Sequence, residues 1–383
     1  MHRRRSPCAA RAKARGTREP WLASRARASF GSVSPESTST EPRARRTVYR
    51  WDLDKTYLST DFDSLKGLFR AALEKAEDKV AFPGARVLLR ELCATEPRGL
   101  FILSGSPEQM RKVIEEKLAL DGIKWDGLVL KPSLNRLLRG RFRFLRDQVS
   151  YKLAALLTSR SGLDGAYDEF MFGDDAEADA FVYSLYSDLC SGRVGLDALA
   201  QVLDLARAYD DDAAELLELA RNVPQADVGR RIFIHLERLE PSTAFSHFGR
   251  RVFAFHNYFQ PAVVLLEDGC LDADAVLRVG TELVRAHAFS PEALGASYAD
   301  LARRRVLSES TGEALRQAVA RIEPEPGEVG EALSALGQAL GMYALPGRAE
   351  APLLDGPLDY LELLPSDKAR AKRAKTRARL RPR

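Results

Sequence analysis

Two hydrophobic rhythms alternate along residues 47–270 of the chain. Short apolar runs bounded by polar or small residues, "TVYRWDL", "GLFILSGS", "GLVLKPS" and "EFMFGDD", predict strands. Between and around them, "SLKGLFRAALEKAEDK", "GARVLLRELCATE", "PEQMRKVIEEKLAL" and "QVSYKLAALLTSR" space their apolar residues three and four apart, which predicts helices. The proline that opens "PEQM" suits a first helical turn. Two later strands are expected in "RRIFIHLERL" and "RRVFAFHNYF", followed by a helix in "PAVVLLEDG". Strands separated by helices predict an α/β fold, a doubly wound parallel sheet with helices on both faces. The sheet domain is expected to span 47–270, with 193–229 as a helical insertion, because that segment reads as helices before the next strand. From 271 to 365 only helical periods remain, a helical extension.

The ends differ from the middle. Residues 1–46 are rich in Arg, Ser and Ala and show no apolar period, so a disordered extension is expected there; an Arg-rich, acid-poor start also has the composition of a transit peptide, and a start codon placed too early gives the same pattern. The end, 366–383, is a basic tail, "SDKARAKRAKTRARLRPR" from Ser366 on. Over 383 residues the formal net charge is only +4, which argues against a polycation and hence against a nucleic-acid partner. Cys8, Cys93, Cys190 and Cys270 lie far apart, without zinc-ligand spacing, and read as reduced thiols. No apolar run approaches the ~18 residues of a membrane span, and no apolar secretory segment opens the chain. A cytoplasmic location is expected, with peripheral contact at an anionic membrane through the basic segments.

The candidate chemistry sits at the strand ends, where open parallel sheets bind their ligands. Asp52 and Asp54 end the first strand, Ser104 and Gly105 the second, and Asp174 and Asp175 the fourth, with Asp179 a turn later. Residues two apart on a strand face one side, so Asp52 and Asp54 are expected to project together into the crevice that Asp174 enters. Carboxylates gathered there repel unless a cation joins them, and oxygen ligands of this kind suit Mg²⁺. Ser104 is free for a ligand if Ser106, the better placed residue, caps the helix after it. His256 with Asn257 is a candidate to reach the crevice, and His235 lies on a neighbouring strand; such histidines are more often core residues. The stretch "KPSLNRLLRGRFRFLRDQ", with Arg136, Arg139, Arg141, Arg143 and Arg146, is either a solvated face or a site for an anionic headgroup.

Taken in order, "WDLDKT", "FILSGSP", Lys152 in "SYKL" and "FGDDAEAD" resemble the motifs of the haloacid-dehalogenase-type phosphatases. More narrowly, "FPGARVLLREL", "LSGSPEQM", "YKLAAL" and "FGDDAEADAFVY" resemble the fungal actin-patch phosphatidate phosphatases and their bacterial relatives, although Lys55 stands where that family tends to carry an acid and Asp175-Ala176 replace its Ser-Gly. The resemblance implies a Rossmann-like core and a Mg²⁺-dependent phosphomonoester hydrolase that works through an aspartyl-phosphate; the stretch between Thr56 and Ser104, whose helices belong to the core, is too short for a large cap. It implies Asp52 as nucleophile, Asp54 as acid and base, Ser104 and the Gly105 amide as phosphoryl ligands, and Lys152 as the neutralising cation. Asp52, Asp54 through its backbone carbonyl, and Asp174 would hold Mg²⁺, with Asp175 or Asp179 close by; Thr56 would brace the loop, and Arg139 and Arg143 would bind substrate. The substrate so implied is a phosphatidate-like lipid. A soluble metabolite or phosphoprotein keeps the same chemistry, and an inactive scaffold that binds an anionic partner keeps only the fold.

Overall fold

The computed structural model describes residues 46–59, 75–131, 144–163, 165–237, 240–323, 326–343 and 358–365, with side chains from Val149 onward in the segment that begins at 144. The expectations for 1–45 and 366–383, for most of the helix expected over 64–79, and for Arg136, Arg139, Arg141 and Arg143 lie outside these residues. Arg146 falls in a helix whose side chains are described only further on.

Six parallel strands form the sheet: β1 (Thr47–Asp52), β2 (Gly99–Pro107), β3 (Gly127–Lys131), β4 (Asp168–Asp174), β5 (Gly229–His235) and β6 (Val252–Phe255). Their order across the sheet is β3-β2-β1-β4-β5-β6. The order in which strands are added reverses between β1 and β4, which makes the carboxyl ends of those two strands the topological switch point. The parallel arrangement with helices on both faces, expected from the alternation of periods, is the one observed.

Alternate residues of each strand enter different cores. On one face Tyr49, Trp51, Phe170, Phe172, Phe233, Phe253 and Phe255 pack with α1 (Ala85–Ala94), α2 (Arg111–Leu120), α7 (Phe259–Glu267) and α8 (Ala273–His287). Their rings form a row across the sheet: Trp51 stacks on Phe172 at 3.9 Å between centroids, and Phe172 on Phe233 at 4.6 Å. On the other face Leu103, Met171, Ile232, Ile234 and Ala254 pack with α3 (Phe144–Ser161), α4 (Asp179–Cys190), α5 (Leu196–Ala206) and α6 (Asp210–Asn222). The α5–α6 pair fills 193–229, as the sequence predicts. Residues 360–365 return to this second face, where the Tyr360 hydroxyl donates to Asp188 at 2.5 Å and Leu364 is buried.

Beyond β6 the described residues are helical, with α8 followed by α9 (Pro291–Arg303), α10 (Glu309–Ala320) and α11 (Glu328–Tyr343). Three of these begin at a side-chain cap: Asp272 accepts from Ala275 N at 2.7 Å, Ser290 from Ala293 N at 3.1 Å, and Ser308 from Thr311 N at 3.4 Å. Among the described residues no helix is long and apolar enough to cross a membrane.

One boundary differs from the expectation. Pro107 does not open a helix but closes β2, paired with Lys131 across a register shift after Leu103. It lacks an N–H, so a strand end costs it nothing. A 3-10 turn, Glu108–Met110, then leads into α2. In β1, Arg50 faces the α3–α4 side and is fully buried; its guanidinium reaches Glu169, Ser159 and, at 3.1 Å, the Tyr186 hydroxyl. An arginine on a central strand is tolerated because Glu169, at the start of β4, pairs with it.

Candidate functional site

Asp52 is the last residue of β1 and is fully buried. After it the chain turns at once: Leu53 N still donates to Leu103 O at 2.8 Å, and Leu58 N folds back onto Leu53 O at 2.8 Å. This turn carries Asp54 over the end of β2, where Ser104 Oγ donates to its Oδ2 at 2.8 Å and Ser106 Oγ at 3.2 Å. Ser106 therefore binds Asp54 and caps no helix; the residue before the 3-10 turn is Pro107, and no side chain caps it. Ser104 and Ser106 are two apart on β2, so both hydroxyls face the same carboxylate. Gly105 lies between them, where an added Cβ would sit 3.9 Å from both Asp54 Oδ2 and Lys131 Nζ. The Tyr151 hydroxyl donates to Ser104 O at 2.8 Å, and Lys131 Nζ lies 5.5 Å from the centre of the Tyr151 ring.

Lys152, on α3, is buried among acids. Its Nζ lies 2.8 Å from Asp52 Oδ1 and 2.7 Å from Glu177 Oε2, and it donates to Asp179 Oδ1. Among the described residues, Asp52 Oδ1 has the Lys152 ammonium as its ionic partner and no further hydrogen bond. The other oxygen, Oδ2, accepts from Thr56 Oγ1 at 3.3 Å.

At the end of β4, Asp174 Oδ1 accepts from the amides of Ala176 and Glu177 at 2.5 and 2.8 Å. Its Oδ2 is buried with no hydrogen-bond partner among the described residues. Asp179, which opens α4, accepts from Asp174 N at 3.1 Å. That approach needs Gly173: a Cβ there would lie 2.4 Å from Asp179 Oδ2. Asp175 is turned toward the segment after β5 and accepts from Glu240 N at 3.4 Å.

Among the described residues, charge in this crevice is unbalanced. Asp52, Asp54, Asp174, Asp175, Glu177 and Asp179 outnumber Lys55, Lys131 and Lys152. Burial raises the carboxyls of Asp52 and Asp174 well above the usual carboxylate range, and acidic neighbours add to the effect against the pull of Lys152. Burial pushes Asp179 up to about 6, opposed by Lys152, and raises Asp54 against the hydrogen bond from Ser104. For Glu177 burial also raises, but Lys152 and Lys131 outweigh it and hold the carboxyl low. Burial lowers the Lys152 ammonium, and Asp179, Asp52 and Glu177 more than reverse that. A dry, net-negative cluster must take up protons or a cation. Carboxylate oxygens of Asp52, Glu177 and Asp179 lie within 4.8 Å of one another, so this group can hold a metal ion. The unpartnered Asp174 Oδ2 is a further oxygen donor of the kind a hard cation takes.

The expected residues thus fall into distinct places. Asp52, Lys152 and Asp179 come together, Asp54 joins Ser104 and Ser106, Thr56 braces Asp52, and Asp175 is tied to Glu240. The Asn257 amide donates to Ser297 at 3.0 Å, and the half-buried His256 feels Asp300 and Arg304, so this pair belongs to the α7–α9 junction. His235, by contrast, reaches the Asp54 loop: its Nδ1 lies 3.2 Å from Lys55 O. Glu177 and Lys131 are additions. Glu177 stands inside "FGDDAEAD", two residues before Asp179, and Lys131 ends β3 as Asp174 ends β4; reading every polar residue at a strand end would have found the lysine.

No protein-family model matches the chain, and neither a curated protein nor a solved structure does.

Proposed function

We propose that the chain is a Mg²⁺-dependent phosphomonoester hydrolase of the haloacid-dehalogenase type. The observation that carries this reading is the convergence of Asp52, Asp54, Lys152 and the Asp174–Asp179 acids, from separate segments, at the switch point of one parallel sheet. Asp52 is suited to attack phosphorus, since Lys152, 2.8 Å from its Oδ1, offsets the repulsion between the carboxylate and the phosphoryl group. As the Asp52–phosphorus bond forms, the ester P–O bond breaks, and Asp54 passes a proton to the departing oxygen. Its buried, upshifted carboxyl suits that task. Asp54 then takes a proton from a water that attacks the aspartyl-phosphate, releasing inorganic phosphate and restoring Asp52.

Mg²⁺ bound by these carboxylates would neutralise the phosphoryl oxygens. Asp52, Asp174 and Asp179 are the side chains we assign to hold it, with Glu177 adjacent. The Gly105 backbone and Ser104 line the phosphoryl side. The substrate class we favour is a phosphatidate-like lipid, on the motif resemblance alone.

The test is phosphate release by purified protein, with Mg²⁺ or a chelator, from phosphatidate in vesicles and from a panel of water-soluble phosphomonoesters. Magnesium-dependent release that Asp52→Asn abolishes supports the reading. A preference for soluble esters overturns the lipid assignment and keeps the chemistry. Absence of turnover on every ester overturns the enzyme reading.

A further inference from the structure

The turn that presents Asp54 has an uncommon backbone, and it is held from the far side of the sheet. Lys55 has φ +62°, a left-handed conformation that disfavours residues with a Cβ. Such a conformation persists where its surroundings over-determine it. Within the turn, Lys55 N donates to Leu58 O at 2.9 Å, and Tyr57 N and Leu58 N donate to Leu53 O at 3.0 and 2.8 Å.

The carbonyls of Lys55 and Thr56 take their donors from elsewhere. His235 Nδ1, at the end of β5, lies 3.2 Å from Lys55 O, and the Tyr258 hydroxyl, just before α7, donates to Thr56 O. A carbonyl only accepts, so the His235 proton is on Nδ1. Both side chains are buried, and their rings lie 5.3 Å apart, with the Phe82 ring edge-on to His235 at 4.6 Å. Behind Tyr258 the packing is close. At Gly84, whose φ is +82°, a Cβ would lie 3.0 Å from Tyr258 Cβ and 3.1 Å from Leu283 Cδ2. Leu283 belongs to α8, so the helical region and Tyr258 close on Gly84 together.

We propose that His235 and Tyr258 are positioning residues that fix the Leu53–Leu58 turn and so set Asp54 against Ser104 and Ser106. The catalytic consequence rests on the reading of Asp54 as acid and base; the structural claim does not. Filling the core is the simpler role for two buried rings, but it does not require two polar atoms aimed at consecutive carbonyls of one strained turn.

The experiment uses the full chain with Tyr258→Phe and His235→Phe, which keep a ring in each place. Hydrogen exchange at the amides of Lys55, Tyr57 and Leu58 should quicken roughly fivefold per lost bond, the factor that corresponds to about 1 kcal/mol of net hydrogen bonding. Exchange in the β1–β4 ladder should stay as it is. With an alkyl phosphate, whose leaving oxygen needs a proton, kcat/KM should fall by a similar factor; with p-nitrophenyl phosphate, which needs none, it should fall less. Exchange at 55–58 that rises no more than elsewhere overturns the proposal, and so does an equal loss with both esters. A wild type that cleaves no ester removes the catalytic reading of Asp54, and the exchange measurement then still decides whether the two side chains hold the turn.

Discussion

Lys152 Nζ stands 2.8 Å from Asp52 Oδ1 while it also binds Asp179 and Glu177, so one buried ammonium holds acids from β1, α4 and the turn between β4 and α4. Removing one partner of a buried ion cluster leaves uncompensated charge, which costs about 3–5 kcal/mol. Lys152→Met should therefore lower stability by that order at neutral pH. Mg²⁺ should recover more stability in this variant than in wild type, because the cation replaces the missing charge. Thermal melts of both proteins with and without Mg²⁺ measure it; equal magnesium effects would show that the cation does not take the place of the missing charge.

Asp52 and Asp54 are separated by one residue yet have different surroundings, an ammonium for the first and serine hydroxyls for the second. Asp52→Asn should abolish phosphate release and leave the far-ultraviolet spectrum unchanged. Asp54→Asn should slow turnover by roughly 10²–10⁴-fold, the usual contribution of a positioned acid or base. It should also let a phosphoenzyme build up, seen by intact mass. Near wild-type turnover by Asp52→Asn would falsify the assignment of the nucleophile.

Gly173 is required by a side chain six residues on, not by its own backbone. Ala at 173 would put a methyl group 2.4 Å from Asp179 Oδ2. Asp179 must then leave the Asp174 amide. Overpacking of this kind costs about 1–3 kcal/mol, and the magnesium concentration for half-maximal activity should rise because the cluster opens. A metal titration of Gly173→Ala against wild type checks this; an unchanged midpoint would mean that Asp179 does not contribute to the cation's hold.

Much of this was legible in the sequence. The rhythm of apolar runs gave the strands and their helices, and acids placed at strand ends marked the crevice, because a parallel sheet buries its middle and exposes only its ends. What stayed hidden depends on contacts across sequence distance. Arg50 looks out of place on a central strand until Glu169 is seen beside it, with Arg160 3.6 Å from the same carboxylate. Ser106 reads as a helix cap until β2 is seen to run on through Pro107, which places its hydroxyl beside that of Ser104 on Asp54. The roles of His235 and Tyr258 arise because β5 and β6 lie beyond β4 in the sheet.

The Arg50–Glu169 pair gives its own test. Glu169→Gln should destabilise by about 3–5 kcal/mol, since it leaves two buried guanidinium groups with a neutral partner. The double variant Arg50→Met, Glu169→Leu should regain part of that loss, because it removes the unpaired charge at position 50, although Arg160 stays without its carboxylate. Urea unfolding of the single and double variants reads both values. A double variant as weak as the single one would mean that packing, not charge, dominates here.

The last prediction concerns acid. Burial among Phe82, Phe255 and Tyr258 pushes the His235 imidazole down to about 4 from an ordinary 6.5, against the smaller effect of the Lys55 carbonyl. Between those values the unfolded chain binds a proton that the folded chain refuses, so stability rises with pH there. The contribution is complete above about pH 6.5 and is lost as pH falls toward 4, about 3 kcal/mol over the whole window. Asp52 and Asp174 act in the opposite sense, since carboxyls raised by burial bind protons more readily in the folded chain. The absolute pH profile therefore mixes both effects, whereas the difference between wild type and His235→Phe cancels the carboxyls common to the two. At pH 7.5 the variant should be less stable than wild type by the lost hydrogen bond. As pH falls from 6.5 toward 4 wild type should lose stability relative to the variant, so that the gap closes and then reverses. Urea unfolding of both proteins at several pH values measures the crossing; parallel curves would mean that His235 is not held neutral by its burial.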